Sequence, residues 1–548
     1  MTKNYMVIEL WTNTDIICKL SQYDSPMKHL FRAVFVVTFF TMIDRVLGFG
    51  FKVFLSRELG AINMGIYQVA LSVFFVLLTF TTSGTPLVVS KFTAIFSKKG
   101  DKNSEHAMVM AALIVGIIVS IIICGIFFFF QVQIAGLFAA KESMNLILLL
   151  LPAVIFSGIY ASFRGNLWGN GKYATVSIIE LIEQVVRIGS CILLILLGFN
   201  QLRMTAISLS IAFGVTALCC VAAYCKNKGK FRSPSGQFKP LLHNAVPVTL
   251  IRASNTVVNS LIAISVPFLL TVSGLSTAES LAVFGASVGM AMPLLFLPLT
   301  AVGSLAYVLI PTLSAAHASG DKVTVKKQVE QATLFALVVS SIFVPVFFAL
   351  GNPIGLFVYN NADAGRFLRL SAFLLIPMSA ESIVSSMMNS LDLEKKSFIN
   401  YMIGSVIMFI IMFASWRNFR IELLVVGLGI SWTISTTLDV IDIKKRTGIE
   451  VKIFLIPLFK CILLIVPTIF LISWLSNILG ALHIFWQIAI PAVIGVLLYC
   501  TAGLLLGIVD KSLFFKRGKK RENGQIKTGV NKIRGKRKER FKDKQPIV

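Results

Sequence analysis

Four residues, Glu180, Glu183, Gln184 and Arg187, fall at i, i+3, i+4 and i+7 of an apolar stretch that reaches Leu197. On a helix this spacing gathers all four on one face, leaving Ile, Leu and Val on the others. A charged side chain near the middle of a membrane helix costs about 2.5–3.5 kcal/mol, against about −0.5 for each Leu or Ile. Three charges therefore roughly cancel the apolar gain, so the polar face must turn toward protein or a wet cavity. Two chemistries fit: a Glu183–Arg187 pair at i,i+4 that joins helices, or a site that holds charge inside the membrane. Asp44 and Arg45 lie near the middle of the first apolar run, Arg252 early in a later one, and Glu381 in a third. A guanidinium fork binds phosphate oxygens bidentately, so Arg45, Arg187 and Arg252 are candidates for gripping an anionic substrate group. Asp44, Glu180, Glu183 and Glu381 either neutralise these arginines or carry coupling protons. Arg164, Gly165, Gly169 and Lys172, just ahead of the charged stretch, are read as a cytoplasmic loop motif.

Such residues need a membrane scaffold, and the composition supplies one. The chain has 548 residues, 56% hydrophobic and only 14% charged, and a mean hydropathy of +0.83. Soluble domains carry about 25% charged residues. Apolar runs of membrane-spanning length recur throughout, which defines an all-α polytopic membrane protein. Fourteen candidate spans are expected: 30–56, 66–90, 107–131, 144–163, 174–198, 204–225, 244–272, 280–310, 329–350, 366–390, 398–416, 421–442, 453–476 and 483–508. The eight cysteines and five histidines show no metal-ligand spacing, so neither a metal nor another cofactor is expected.

Loop charges set the expected orientation. Alternate loops carry Lys98, Lys99 and Lys102, then Arg164 and Lys172, then the run Lys226 to Lys239. The same side continues with Lys322, Lys326 and Lys327, Lys395 and Lys396, and Lys444 to Arg446. The intervening loops are nearly free of Lys and Arg, apart from Lys141, Arg203, Arg366, Arg417 and Arg420. The positive-inside rule places both termini in the cytoplasm of a plasma-membrane protein. Residues 1–29 lack the features of a signal peptide and read as a cytoplasmic extension. The basic tail 509–548 resembles a nucleic-acid arm in composition alone; joined to a membrane helix, it is read instead as a segment drawn to anionic inner-leaflet lipids, and no nucleic-acid partner is expected.

The halves of the chain echo each other. Gly100-Asp101-Lys102 recurs as Gly320-Asp321-Lys322, and Pro152 as Pro377, at offsets of 220 and 225 residues. Six spans separate the copies, so the repeats share one orientation and are related by an axis along the membrane normal. The expected division is a six-helix lobe at 30–225, a basic linker at 226–243, a second six-helix lobe at 244–442, two further helices at 443–508, and the tail.

Arg45-Val46-Leu47-Gly48-Phe49, the run Ser56-Arg57-Glu58-Leu59-Gly60-Ala61 and Gly65-Ile66-Tyr67-Gln68 resemble the multidrug/oligosaccharidyl-lipid/polysaccharide exporter superfamily. Arg164-Gly165 with Gly169, Glu183-Gln184-Val185-Val186-Arg187-Ile188, and Pro298 through Pro311 resemble its stage V sporulation protein B and polysaccharide biosynthesis branch. The resemblance spans roughly residues 30–508. It departs at Asn166-Leu167-Trp168-Gly169, where that branch more often has an aromatic and a Gln before the Gly. The resemblance implies two lobes about a central cavity. It also implies a monomeric flippase that moves a lipid-linked oligosaccharide or peptidoglycan precursor from the inner to the outer leaflet. A drug/cation antiporter of the same fold is the alternative, although the extra helix pair suits a lipid substrate. A membrane glycosyltransferase is disfavoured, because the outer loops are short and no Asp-x-Asp occurs.

Overall fold

The structure is a computed structural model. It describes residues 25–505, with side-chain surroundings from residue 37 onward except at 307, 308 and 311. Most of the expected N-terminal extension and all of the tail at 509–548 lie outside the described residues. In chain order the helices are α1 (Ser25–Thr82), α2 (Thr85–Lys99), α3 (Lys102–Phe129), α4 (Gln131–Ala135), α5 (Glu142–Gly169), α6 (Tyr173–Leu196), α7 (Gln201–Lys226), α8 (Phe238–Val272) and α9 (Thr277–Phe284). A π turn (Gly285–Ala291) leads into α10 (Met292–Ala318). There follow α11 (Lys322–Tyr359), α12 (Ala362–Ser371), α13 (Leu375–Ser390), α14 (Glu394–Ala414), α15 (Ile421–Thr447), α16 (Lys452–Ile478) and α17 (Ile484–Leu505). Away from their ends, helices satisfy their backbone groups internally, as a span in hydrocarbon requires.

Twelve helical segments among the described residues are long and apolar enough to cross a membrane. Two local features bear on the expected fourteen. The first of the twelve segments, Val37–Lys99, contains 63 residues, roughly 95 Å of helix against a hydrocarbon core of about 30 Å. It breaks at Gly60 (φ 69°, ψ 175°), a backbone shape that glycine tolerates. Residues on both sides of the break, Arg45 to Lys52 and Gln68 to Thr79, line one cavity, so the chain folds back there. Helix α6 is absent from the twelve; its three central charges, Glu180, Glu183 and Arg187, offset its apolar residues.

The two Gly-Asp-Lys copies adopt the same local structure. Gly100 and Gly320 each close a helix with positive φ, 73° and 72°. Asp101 then caps α3 by accepting the Ser104 amide at 3.0 Å, and Asp321 caps α11 by accepting the Thr324 amide at 3.0 Å. Hydrogen bonds from the Ser104 and Thr324 side chains and amides hold both carboxyls below the usual carboxylate range. The proline copies differ. Pro152 sits inside the continuous α5, whereas Pro377 lies in the first turn of α13, just after a 3-10 turn at Ala372–Leu374.

The fold has two lobes. In the first, α5 packs on the two arms of α1–α2, on α3 and on α7, and α6 packs on α1 and α7. In the second, α11 packs on α10, α12 and α13, and α14 packs on α15. Helices α16 and α17 lie against α11, where the Tyr499 hydroxyl donates to Ser341 Oγ at 2.7 Å. Between the lobes, α1 meets α8, α9 and the π turn closely. A Cβ on Gly65 would lie 2.2 Å from the Leu281 carbonyl, and one on Gly285 would lie 2.0 Å from that of Ala61.

Candidate functional site

The main site is a cavity of about 880 Å3 between the lobes. From α1 it takes Arg45, Gly48, Phe49 and Lys52 on the first arm and Gln68, Ser72, Phe75 and Thr79 on the second. Thr256 and Asn259 of α8, Phe296 and Thr300 of α10, and Trp432 of α15 face them. Arg45 and Lys52 are seven residues apart and share a helix face. Neither has an ion-pair partner among the described residues. No carboxylate belongs to the cavity lining. Two cations without an ion-pair partner among the described residues give the otherwise neutral cleft a positive character. Across the seam beside the cavity, Thr79 and Thr256 share a hydrogen bond of 3.1 Å.

The charged stripe of α6 is elsewhere. Asp44 points to the other side of α1 from Arg45, because consecutive helical residues differ by about 100°. There it shares a second, smaller chamber of about 360 Å3 inside the first lobe with Tyr160, Arg164, Glu180, Glu183, Gln184 and Arg187. Arg164 Nη2 lies 2.6 Å from Glu180 Oε1, which also accepts the Tyr160 hydroxyl at 2.9 Å. The Arg164 guanidinium rests over Trp168 at 4.2 Å and Tyr160 at 5.4 Å. Arg187 donates to Gln184 Oε1 and lies over Phe51 at 5.6 Å. The Glu183–Arg187 pair expected from i,i+4 spacing is not formed. Arg187 turns to Gln184 instead, and Glu180 takes its cation from α5.

The remaining expected residues are dispersed. The side chain of Arg252 is exposed and does not line the cavity; Thr256, one turn further along α8, does. Glu381 lies within the second lobe, accepting the hydroxyls of Ser435 and Thr436, each at 3.1 Å. Arg164, Gly165 and Gly169 belong to helix α5 rather than to a loop. The two glycines let α5 approach α2. An added Cβ would lie 2.7 Å from Val89 Cβ at Gly165 and 2.6 Å from the Ser90 carbonyl at Gly169. Lys172 is exposed at the start of α6. Asn166, in the stretch that departs from the family pattern, is buried and donates to Glu105 Oε1 at 3.0 Å.

Lys52 was not among the candidate site residues expected from the sequence. Its i+7 spacing from Arg45 was the available signal. Trp432 was not singled out, and Gln68 appeared only within a family motif, because a lone aromatic or amide in an apolar run carries no periodic signature.

The fold and cavity define a class: multi-pass helical transporters with two lobes around a central, cation-lined chamber. The chain belongs to the polysaccharide biosynthesis protein family, whose profile matches residues 30–317. It is 24% identical over 430 residues to stage V sporulation protein B of Bacillus subtilis (strain 168), a match covering 75% of this chain and 83% of that one. It is 21% identical over 547 residues to the lipid II flippase MurJ of the same organism, over 89% of this chain and 99% of that one. A lipid II flippase MurJ structure in an inward closed conformation superposes with a TM-score of 0.66 at 16% identity, covering 86% of this chain and 99% of the other. An inward-facing multidrug resistance MATE family transporter of the MOP superfamily gives a TM-score of 0.63 at 15% identity, over 76% and 98%. At such identities the structural likeness concerns the fold.

Proposed function

We propose that this chain is a flippase that moves a lipid-linked saccharide or peptidoglycan precursor from the inner to the outer leaflet by alternating access of its lobes. It works as a transporter and not as an enzyme. The observation that carries this reading is the central cavity, where, among the described residues, Arg45 and Lys52 are free of ion pairs and no carboxylate joins the lining. A cationic drug would meet uncompensated positive charge there, whereas a diphosphate would find two donors. That distinguishes the flippase from an antiporter of the same fold. Arg187, Asp44, Glu180 and Glu183 form a separate charged chamber that positions α1. Arg252, one turn beyond the lining, guides the anion toward it.

In this reading the chain crosses the membrane fourteen times and acts as a single copy. Both termini and the Gly-Asp-Lys turns are cytoplasmic, and the tail meets anionic inner-leaflet lipids. The lobes span 30–225 and 244–442, with 226–243 as the linker. The Gly60 end, where the lobes pack closely, is then the outer end.

The test uses the purified full chain in vesicles carrying a fluorescent lipid-linked oligosaccharide. Transbilayer movement should be present in the parent chain and lost in Arg45→Ala and Lys52→Ala variants of normal abundance. Movement that survives the double replacement, or an absence of movement by the parent chain, would overturn the proposal.

A further inference from the structure

The central cavity is asymmetric in a way that the anion-transport reading alone does not use. Both of its cations, Arg45 and Lys52, come from α1, whereas the part supplied by α8, the π turn, α10 and α15 is uncharged. A headgroup diphosphate held by the α1 wall must direct the rest of the headgroup toward that uncharged wall. At about 880 Å3 the cavity holds more than a diphosphate.

On that wall α15 presents Leu424, Leu428 and Trp432, four residues apart and hence in one stripe. Among the described residues, Trp432 is the only one lining that wall that joins a broad aromatic face to a hydrogen-bond donor. It is half-buried, and its indole N–H has no partner among the described residues. Two contacts fix the backbone that bears it. Gly404 of α14 admits the Ser431 carbonyl so closely that a Cβ there would lie 2.5 Å away. One turn later Ser435 and Thr436 both donate to Glu381 of α13, at 3.1 Å each. Trp432 thus stands on a clamped turn, so little ordering is needed on binding. Two amides complete the surroundings. Asn259 and Gln68 line the same cavity, and Gln68 Oε1 is buried without a hydrogen-bond partner, leaving an acceptor for a hydroxyl.

We infer that Trp432 is the floor of a saccharide subsite in the central cavity. The apolar face of a pyranose ring stacks on its indole while ring hydroxyls reach Gln68 and Asn259, with the attached diphosphate on the Arg45 and Lys52 side. A pyranose has the complementary chemistry: C–H groups on one face and hydroxyls around the edge. The inference rests on the flippase reading and adds a determinant for the sugar.

The experiment measures equilibrium binding to the full chain in lipid nanodiscs with two probes. One is a short-chain isoprenyl diphosphate, and the other is the same molecule bearing one N-acetylglucosamine on its diphosphate. The parent chain should bind the sugar-bearing probe about tenfold more tightly, the size of one good aromatic contact. Trp432→Leu should remove that preference and leave the bare-diphosphate affinity unchanged, which also certifies folding. Trp432→Phe should keep most of it. An unchanged preference in Trp432→Leu, or equal weakening of both probes, overturns the subsite. Failure of the parent chain to bind either probe would instead count against the flippase reading.

Discussion

Asp44 and Arg45 are neighbours in sequence, yet they serve different chambers, one shared with Arg187 and Glu183 and the other with Lys52. If the cavity grips a diphosphate, Arg45→Lys keeps the charge but loses the planar fork. Charged hydrogen bonds contribute about 1.5–3 kcal/mol, so substrate binding should weaken roughly ten- to hundredfold at unchanged membrane abundance. Binding and abundance measured side by side check this; loss of abundance alone would make Arg45 a packing residue. Arg164 should behave in the opposite way. It pairs with Glu180 at 2.6 Å while partly shielded by Tyr160 and Trp168, so Arg164→Ala strands a carboxylate. We expect reduced abundance and a lower Tm for Arg164→Ala, partly restored in the Arg164→Ala/Glu180→Gln double variant. A double variant no better than the single would show that the pair does not stabilise the lobe. The stripe on α6 was legible in the sequence as a single polar face. Periodicity reports which residues share a face and is silent on which neighbour that face meets, so neither the chamber that Arg187 shares with Asp44 nor Glu180's partner on α5 was legible.

At the level of elements, glycines divide by what they pack against. Gly165 and Gly169 bring α5 onto α2 inside one lobe, whereas Gly65 and Gly285 bring the two lobes together at the Gly60 end. Leucine at Gly165 or Gly169 should therefore lower folded abundance, at a cost of about 1–3 kcal/mol or more for overpacking. Between the lobes, packing is reinforced by Arg57. Its Nε donates to the Val358 carbonyl at 2.8 Å and its Nη2 to that of Phe357 at 2.5 Å. These carbonyls end α11, where a helix has unpaired acceptors and negative dipole charge. A cation from α1 thus caps a helix of the other lobe. Arg57→Ala should loosen that end about tenfold or more in the open-to-closed ratio. Met290 is 1% exposed and lines the small chamber beside Arg57. A Met290→Cys probe should resist a thiol reagent in the Arg57 chain and react readily once Arg57 is Ala. Equal reactivity in both would remove Arg57 from the closure. In the sequence Arg57 stands out only as part of a family motif, since its partners lie 300 and 301 residues away.

For the whole molecule, the repeated motif was visible because turn chemistry is local: in both Gly-Asp-Lys copies the glycine is left-handed and the aspartate caps the next helix. The long apolar helices were legible for the same reason, since apolar length is a property of each segment alone. The number of crossings depends on two places where that rule is strained, the break at Gly60 and the charged α6. Where the segment Thr277–Ala306 crosses the membrane, the α8–α9 turn and the α10–α11 turn lie on opposite sides of it. The basic residues Lys322, Lys326 and Lys327 then put the second turn inside. Thr277 and Ser319 are both exposed and suit single-cysteine replacement, leaving the Asp321 and Ser276 caps intact. In intact cells an impermeant maleimide should label Thr277→Cys above the baseline of the parent chain. It should leave Ser319→Cys at that baseline until the membrane is permeabilised. Labelling of Ser319→Cys before permeabilisation would invert the orientation and make the Gly60 end cytoplasmic. The closely packed end would then be the inner gate, and the cavity would take its substrate from the outer leaflet. The direction of transport therefore depends on this measurement as directly as the topology does.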